Sequence, residues 1–154
     1  MALLVNIIIL LWARRLGGVP DMTPEFLLNS FLEAGKTRYK PLDHIFRNQM
    51  KNVDRHLIIL STEKTCIWNG IITRDNTLFL KGNGFEYDSL KESIVAIIEL
   101  AEEWLKVGTL VICLDKGSCN LVNLIRSFFY FGFELVAPNT YNHSNEFILV
   151  GMEF

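Results

Sequence analysis

The sequence predicts an α/β (α+β) fold, a mixed β-sheet with two helices packed on it. The chain has 154 residues, the size of one domain, and half of them are hydrophobic. Short β-branched and aromatic runs alternate with segments whose apolar residues recur every three or four positions. Helices that lie between strands require crossover connections, and these imply some parallel strand pairing.

Composition and charge exclude several functional classes. The chain is 21% charged and 12% aromatic, which excludes disorder over most of its length. A formal net charge of −2 does not supply the basic field that nucleic acid requires. The metal-ligand and thiol side chains are widely spaced: His44, His56, Cys66, Cys113, Cys119 and His143. We therefore predict no disulfide framework, no metal site and no cofactor, and a reducing compartment.

Residues 1–54 are predicted to be an apolar leader and a flexible arm, ahead of a domain over residues 55–154. Ala2–Trp12 is apolar at all but one position but is too short to span a bilayer, so no stable membrane insertion is expected. Arg14 and Arg15 follow this run, whereas a secretory signal carries its positive charge in front. A variable leader, a targeting segment and a true anchor remain as alternatives.

Regular structure is predicted to start near His56 with three strands. Leu57–Leu60 is a short apolar run, and Thr65–Ile72 is rich in β-branched and aromatic residues. A further strand is predicted at Thr77–Leu80, after the turn residues Arg74–Asn76. The last two strands are therefore predicted to form a hairpin.

A helix from Ser89 to about Lys106 is the clearest element of the sequence. Ser89 and Glu92 have the spacing of a capping box, and Gly108 is predicted to stop the helix. Its apolar stripe consists of Leu90, Ile94, Ile97, Ile98, Ala101, Trp104 and Leu105. Four glutamates fall outside the stripe: Glu92, Glu99, Glu102 and Glu103. From the residues alone they indicate a solvated face.

The remaining elements are a strand, a second helix and two further strands. Thr109–Leu114 is predicted to be a buried strand, in which Cys113 acts as a small hydrophobic residue. The second helix has its apolar stripe at Leu121, Leu124, Ile125 and Phe128. Gly132 is predicted to cap its end, and the strands Phe133–Val136 and Phe147–Val150 follow.

The segment Leu124–Glu134 resembles the end of a coenzyme A-dependent N-acetyltransferase (GNAT) domain. In that superfamily a tyrosine four residues before a Gly-Phe pair often protonates the leaving thiolate, but Phe128 occupies this position and has no hydroxyl. The superfamily also has a glycine-containing loop for the pyrophosphate, and the nearest string, Arg14–Val19, precedes every strand predicted above. A small acyl-coenzyme A N-acetyltransferase therefore stays as the alternative function.

Three further blocks resemble the ornithine decarboxylase antizymes in order and spacing. Leu90–Leu105 is similar to the signature helix of that family, and Val111–Lys116 is similar to its next strand. Leu124–Pro138 is similar to the helix and strand that follow. The resemblance covers about residues 55–154 and implies an acetyltransferase-like fold without the activity.

This resemblance implies a non-catalytic inhibitor that binds the ornithine decarboxylase monomer and blocks homodimerisation. It also implies ubiquitin-independent proteasomal degradation of the decarboxylase, and reduced polyamine synthesis and uptake. The implied further partners are the antizyme inhibitor and the proteasome, and the implied location is cytoplasmic, with the nucleus as an additional site. It further implies expression by ribosomal frameshifting. Six residues match family positions at or near the partner interface: Lys91, Glu99, Glu102, Glu103, Lys116 and Val136.

The sequence departs from the family pattern after the predicted buried strand Thr109–Leu114. The family's Lys-Asn-Arg-x-Asp-Arg stretch is replaced by Lys116–Leu121, which contains no arginine. Inhibition with degradation and inhibition by binding alone therefore both remain open.

Overall fold

The fold is one mixed sheet with two helices on one face, as predicted, in a computed structural model that describes residues 7–13, 42, 45–61, 67–83 and 90–154. Its strands are β1 (Ile7–Ala13), β2 (Val53–Ser61), β3 (Ile67–Thr73), β4 (Thr77–Asn83), β5 (Thr109–Asp115), β6 (Glu134–Leu135) and β7 (Phe147–Glu153). Its helices are α1 (Leu90–Glu99) and α2 (Leu121–Tyr130). The strand order in the described part of the chain is β1-β2-β3-β4-β5-β7-β6.

Both kinds of strand pairing predicted from the sequence are present. The β3–β4 hairpin is antiparallel, with Ile72 opposite Leu78, and the N–H of Asn76 donates to the carbonyl oxygen of Thr73 at 3.0 Å in its turn. The pair β4–β5 is parallel, with Phe79 opposite Val111. The helix α1 makes this crossover, which confirms the inference from the order of the elements.

Alternate residues of the central strands fill a core under the helices. The side chains on this face include Leu57, Ile72, Leu78, Leu80, Leu110, Ile112 and Leu114. The helices contribute Leu90, Ile94, Ile97, Leu124 and Phe128, which the predicted stripes contain. The buried residues thus recur at every second position on the strands and at every third or fourth position on the helices. Together they form a single core layer between the sheet and the helices.

The helix α2 ends at the predicted residue. Gly132 has a φ of +98°, which only glycine adopts without steric cost. Its N–H donates to the carbonyl oxygen of Phe129 at 3.0 Å, and the N–H of Phe133 donates to that of Phe128 at 3.1 Å. These two bonds form a Schellman cap, which turns the chain into β6.

The end of the first helix differs from the prediction. After α1 the chain makes a π-helical turn over Leu100–Trp104, in which the N–H of Leu105 donates to the carbonyl oxygen of Leu100 at 2.8 Å. The prediction that Trp104 belongs to the buried stripe is wrong, because the wider turn rotates its side chain outward and leaves it 60% exposed. Lys106, with a φ of +53°, ends the helix before Gly108 is reached.

The opposite face of the sheet is covered partly by residues that precede position 55. Leu42, Ile45 and Phe46 are buried there, and the Phe46 ring lies 4.6 Å from that of Phe79 between centroids. Regular structure also begins earlier than His56, because β1 pairs with β2 and β2 starts at Val53. Within the described residues, the segment predicted to be a leader and flexible arm therefore supplies a strand and core side chains. The division of the chain at residue 54 stays a prediction, although these contacts cross it.

Cys113 is buried in β5, as predicted for a small hydrophobic residue, and Cys119 is exposed. The predicted capping residue Ser89, and also His44 and Cys66, lie outside the described residues. No group of histidine, cysteine and carboxylate side chains in the described part of the chain could hold a metal ion. None of the described helices is long and apolar enough to cross a membrane.

Candidate partner-binding surface

Four of the six candidate residues lie on α1 and its π-helical turn. Lys91 is exposed near the start of α1, and Glu99 is half-buried at its end. Glu102 and Glu103 are exposed within the turn, as the sequence predicts. We use the term acidic strip for the four glutamates of this helix, Glu92, Glu99, Glu102 and Glu103. Three of these carboxylates, on Glu99, Glu102 and Glu103, lie at the end of the helix, and the nearest basic residue along the chain is the exposed Lys106, just after the turn.

Lys91 connects α1 to the end of α2. Its ammonium nitrogen lies 5.9 Å from the centroid of the Tyr130 ring, a cation–π geometry. The Tyr130 side chain is 79% exposed and is packed edge-on against Phe131, with the ring centroids 5.2 Å apart. The positive end of the candidate surface is therefore part of an aromatic patch, which the sequence analysis did not identify.

Other exposed apolar side chains also lie on the two helices. Trp104 projects from the π-helical turn, and Val122 and Phe129 are exposed on α2. The spacing of Val122 and Phe129, seven residues apart and off the predicted stripe, was the available signal for an outward apolar face. Trp104 had no such signal, since an unbroken α-helix would bury it.

Lys116 lies in the connection between β5 and α2. The Asp115 carboxylate accepts a hydrogen bond from the N–H of Gly117 at 2.8 Å, and the Asp115 carbonyl oxygen accepts one from Ser118 at 3.1 Å. The N–H of Lys116 donates to the carbonyl oxygen of Glu146 at 3.0 Å, and its side chain is exposed. A hydrogen-bonded turn thus exposes the Lys116 side chain, in the segment that lacks the arginines of the family pattern.

The structure places Val136 apart from the acidic strip. Val136 is half-buried against the core on the face of the sheet opposite the helices, and its N–H donates to the carbonyl oxygen of Leu149 at 2.9 Å. A partner that contacts both Val136 and α1 must therefore reach around the sheet. The other candidate residues do not require this.

The position of the acetyltransferase general acid lies inside the core. Phe128 is fully buried, and its ring meets the Phe133 ring edge-on with 5.1 Å between centroids. A group at this position cannot contact a solvent-borne thioester without displacing α2. The string Arg14–Val19, the nearest to a pyrophosphate loop, lies outside the described residues.

The comparison with protein families decides between the two resemblances. The model of the ornithine decarboxylase antizyme family matches residues 53–154, which contain the acidic strip and all six candidate residues. The chain belongs to the ornithine decarboxylase antizyme family. Its match includes β2–β7 and both helices, so the family assignment rests on the folded part described above.

Individual antizymes agree with this assignment. The chain is 31% identical over 129 residues to the ornithine decarboxylase antizyme of Schizosaccharomyces japonicus, covering 78% of this chain and 54% of that one. It is 32% identical over 75 residues to ornithine decarboxylase antizyme 2 of Mus musculus, covering 49% of this chain and 40% of that one. The chain thus spans about half the length of the curated relatives it matches.

The comparison with solved structures supports the fold. The N-acetyltransferase PseH of Campylobacter jejuni superposes with a TM-score of 0.53 at 12% identity, covering 96% of this chain and 98% of that one. At this identity the likeness concerns the fold alone. The antizyme chain and the acetyltransferases therefore share an architecture, as the sequence predicts.

Proposed function

We propose that this chain is a non-catalytic inhibitor of ornithine decarboxylase, which binds the decarboxylase monomer and prevents its homodimerisation. The observation that supports this most directly is the acidic strip, a set of four carboxylates on one helix in the part of the chain that the antizyme family model matches. Glu102 and Glu103 are exposed and are not needed to fill the core. They are free to make charged contacts with a partner.

Charge gives this surface a preferred kind of partner. Carboxylates on a rigid helix attract a protein surface that carries lysine or arginine, which accelerates association and selects the orientation of docking. We infer that the decarboxylase monomer presents such a basic patch to α1. Lys91 and Lys116 supply the positive contacts of the same interface, and Val136 lies at its far margin.

The family assignment also supports a proposal for the wider biological role. We propose that the chain directs the decarboxylase to the proteasome without ubiquitin and lowers polyamine synthesis and uptake. We further propose that the antizyme inhibitor, a decarboxylase-like protein, competes for the same surface. We also propose that the chain is expressed by ribosomal frameshifting. We propose that it is located in the cytoplasm, with the nucleus as an additional location.

Acyl transfer is the alternative function, and the chemistry of the chain disfavours it. Phe128 offers no proton at the position where the acetyltransferases use a tyrosine, and its ring is packed against Phe133. The string nearest to the superfamily's pyrophosphate loop, Arg14–Val19, ends in valine and lies before the family-matched residues 53–154.

The oligomeric state of the decarboxylase tests the proposal. Ornithine decarboxylase homodimer is mixed with a twofold excess of the full chain, and mass and activity are measured by light scattering and decarboxylation. We expect the homodimer to convert into a one-to-one heterodimer as activity is lost. A decarboxylase that stays dimeric and active would overturn the proposal, and saturable micromolar binding of acetyl-coenzyme A would favour the alternative.

A further inference from the structure

Trp104 is a large aromatic residue that the described part of the chain leaves mostly exposed. The π-helical turn Leu100–Trp104 buries Leu100 and Ala101, and Leu105 packs partly against the core. In a continued α-helix, Trp104 would follow Ile97 by seven residues and Leu100 by four, and would share their buried face. The turn instead leaves it 60% exposed.

The hydrogen bonds show that the outward position of Trp104 is built into the backbone. The N–H of Leu105 donates to the carbonyl oxygen of Leu100, five residues back, and the N–H of Val107 donates to that of Ala101, six residues back. This widening absorbs one extra residue, and Val107 is buried again after it. π-Helical turns of this kind are frequent at functional sites, because they displace one side chain from its helical register.

The surroundings of Trp104 define the chemistry of a matching partner. Glu102 and Glu103 are exposed in the same turn, and Glu99 lies at the end of α1 just before it. A large apolar ring beside carboxylates is complementary to an apolar pocket rimmed by lysine or arginine. Arginine can also stack on the indole face while it pairs with a carboxylate.

We propose that Trp104 is the anchor of the interface with the ornithine decarboxylase monomer, inserted into an apolar pocket inside the basic patch that faces the acidic strip. This inference rests on the proposed function and adds to it the residue that supplies the apolar core of the contact. Interfaces concentrate their energy in a few central side chains, among which tryptophan is enriched. Trp104 would hold the complex together, while Glu102 and Glu103 would govern its approach.

Binding of the full chain to ornithine decarboxylase, measured by surface plasmon resonance at several salt concentrations, tests this inference. We expect Trp104→Ala to weaken binding by about 30-fold or more, mainly through faster dissociation, and Trp104→Phe to retain most of the affinity. The slope of log affinity against log salt should be unchanged in Trp104→Ala, because no charge is lost. The matched control is Phe154→Ala, an exposed aromatic residue that directly follows β7 and lies on neither helix, which should bind within about threefold of the parent.

The possible outcomes separate this inference from the proposed function. A parent chain that does not bind the decarboxylase overturns the proposed function and the anchor with it. A parent that binds, with a folded Trp104→Ala variant of equal affinity, overturns the anchor alone. If the parent self-associates in sedimentation and Trp104→Ala abolishes this, the occupant is a second copy of the chain and the assignment to the decarboxylase is overturned.

Discussion

The side-chain amide of Asn76, in the turn between β3 and β4, donates a hydrogen bond to the carbonyl oxygen of Lys106 at 3.1 Å. The carbonyl oxygen of Asn76 in turn accepts the N–H of Gly108 at 2.9 Å. Asn76 and Lys106 both have left-handed backbones, with φ of +66° and +53°. The hairpin turn therefore binds the chain on both sides of Val107, where it leaves the helix and approaches β5.

Asn76→Ala should lower the free energy of unfolding by about 1–2 kcal/mol. The variant loses the bond to Lys106, and alanine tolerates a left-handed backbone less well than asparagine. Asn76→Gly is the matched control, because it also lacks the side-chain amide but glycine accepts the left-handed backbone. Its free energy of unfolding should therefore lie between those of the parent and Asn76→Ala. Urea unfolding followed by circular dichroism measures the difference, and equal midpoints for the parent and Asn76→Ala would contradict the expectation.

Cys113 should be unreactive in the folded chain. Desolvation by burial raises the pKa of its thiol from 9.0 to about 12, with Asp115 adding to the rise and Lys81 opposing it. At pH 8 a thiol reagent should therefore modify the exposed Cys119 and spare Cys113 until the chain unfolds. A Cys66→Ser background leaves these two thiols to be counted, and two equally fast reactions would exclude a protected Cys113.

The same thiol makes stability depend on alkaline pH. Because the folded pKa lies above the unfolded one, the folded state holds the proton longer than the unfolded state does. The contribution of the protonated Cys113 thiol to the free energy of unfolding is complete below about pH 9. It is lost as the pH rises toward 12. Cys113→Ala should weaken this alkaline dependence, which urea titrations at pH 8 and pH 10.5 would reveal.

Phe128→Tyr should restore no acetyltransferase chemistry. The added hydroxyl would enter the core beside Phe133, where it has no solvent and displaces apolar contacts. We expect a loss of stability of about 1–3 kcal/mol and no binding of acetyl-coenzyme A by calorimetry. A variant as stable as the parent that gains acetyl transfer would show that the catalytic position is accessible.

Phe46→Ala should destabilise the chain by about 3–5 kcal/mol, although it lies outside the predicted domain. The ring is fully buried and lies 4.6 Å from the Phe79 ring between centroids. A truncation that starts at Lys51 removes Phe46 together with β1, and should be less stable still. Thermal unfolding compares them, and a truncated chain as stable as the parent would support a separate arm.

The helices and strands were predictable where the apolar residues of an element kept one spacing along its whole length. The stripe of α2, the glycine cap at Gly132 and the strand around Cys113 each depend on local pattern and on burial in a single layer. The first 54 residues were harder, because Leu42, Ile45 and Phe46 reach the core through short contacts that leave no periodic signal. Local pattern thus located the sheet and helices but not the cover on the opposite face.

The candidate surface shows the same limit. Glu102 and Glu103 were predicted to be exposed and are, but the apolar spacing of the helix predicts that Trp104 lies in the core alongside Ala101 and Leu105. The π-helical turn breaks that argument, since it changes the angle between successive side chains and depends on packing that no spacing rule contains. Val136 was assigned to the partner interface by family position alone, and it lies on the face of the sheet opposite the helices.

The acidic strip is the part of the proposal that charge reversal can isolate. Glu102 and Glu103 are exposed, so the double variant Glu102→Lys, Glu103→Lys should change the stability by no more than about 0.5 kcal/mol per site. At an interface with a basic patch, each reversal replaces attraction by repulsion. We expect inhibition of ornithine decarboxylase to weaken by roughly 100-fold and association to become slower at low salt.

A second double variant controls for net charge. Asp54→Lys with Glu153→Lys also takes the formal net charge from −2 to +2, but its sites are exposed on β2 and β7 and leave α1 and its π-helical turn unchanged. If contacts at the strip carry the effect, this control should inhibit within about threefold of the parent, since it keeps all four carboxylates of the strip. Inhibition assays at two salt concentrations, with circular dichroism to verify folding, compare the three proteins. If the strip variant and the parent inhibit equally, Glu102 and Glu103 belong to an ordinary solvated face. If both double variants lose inhibition equally, the effect is due to net charge.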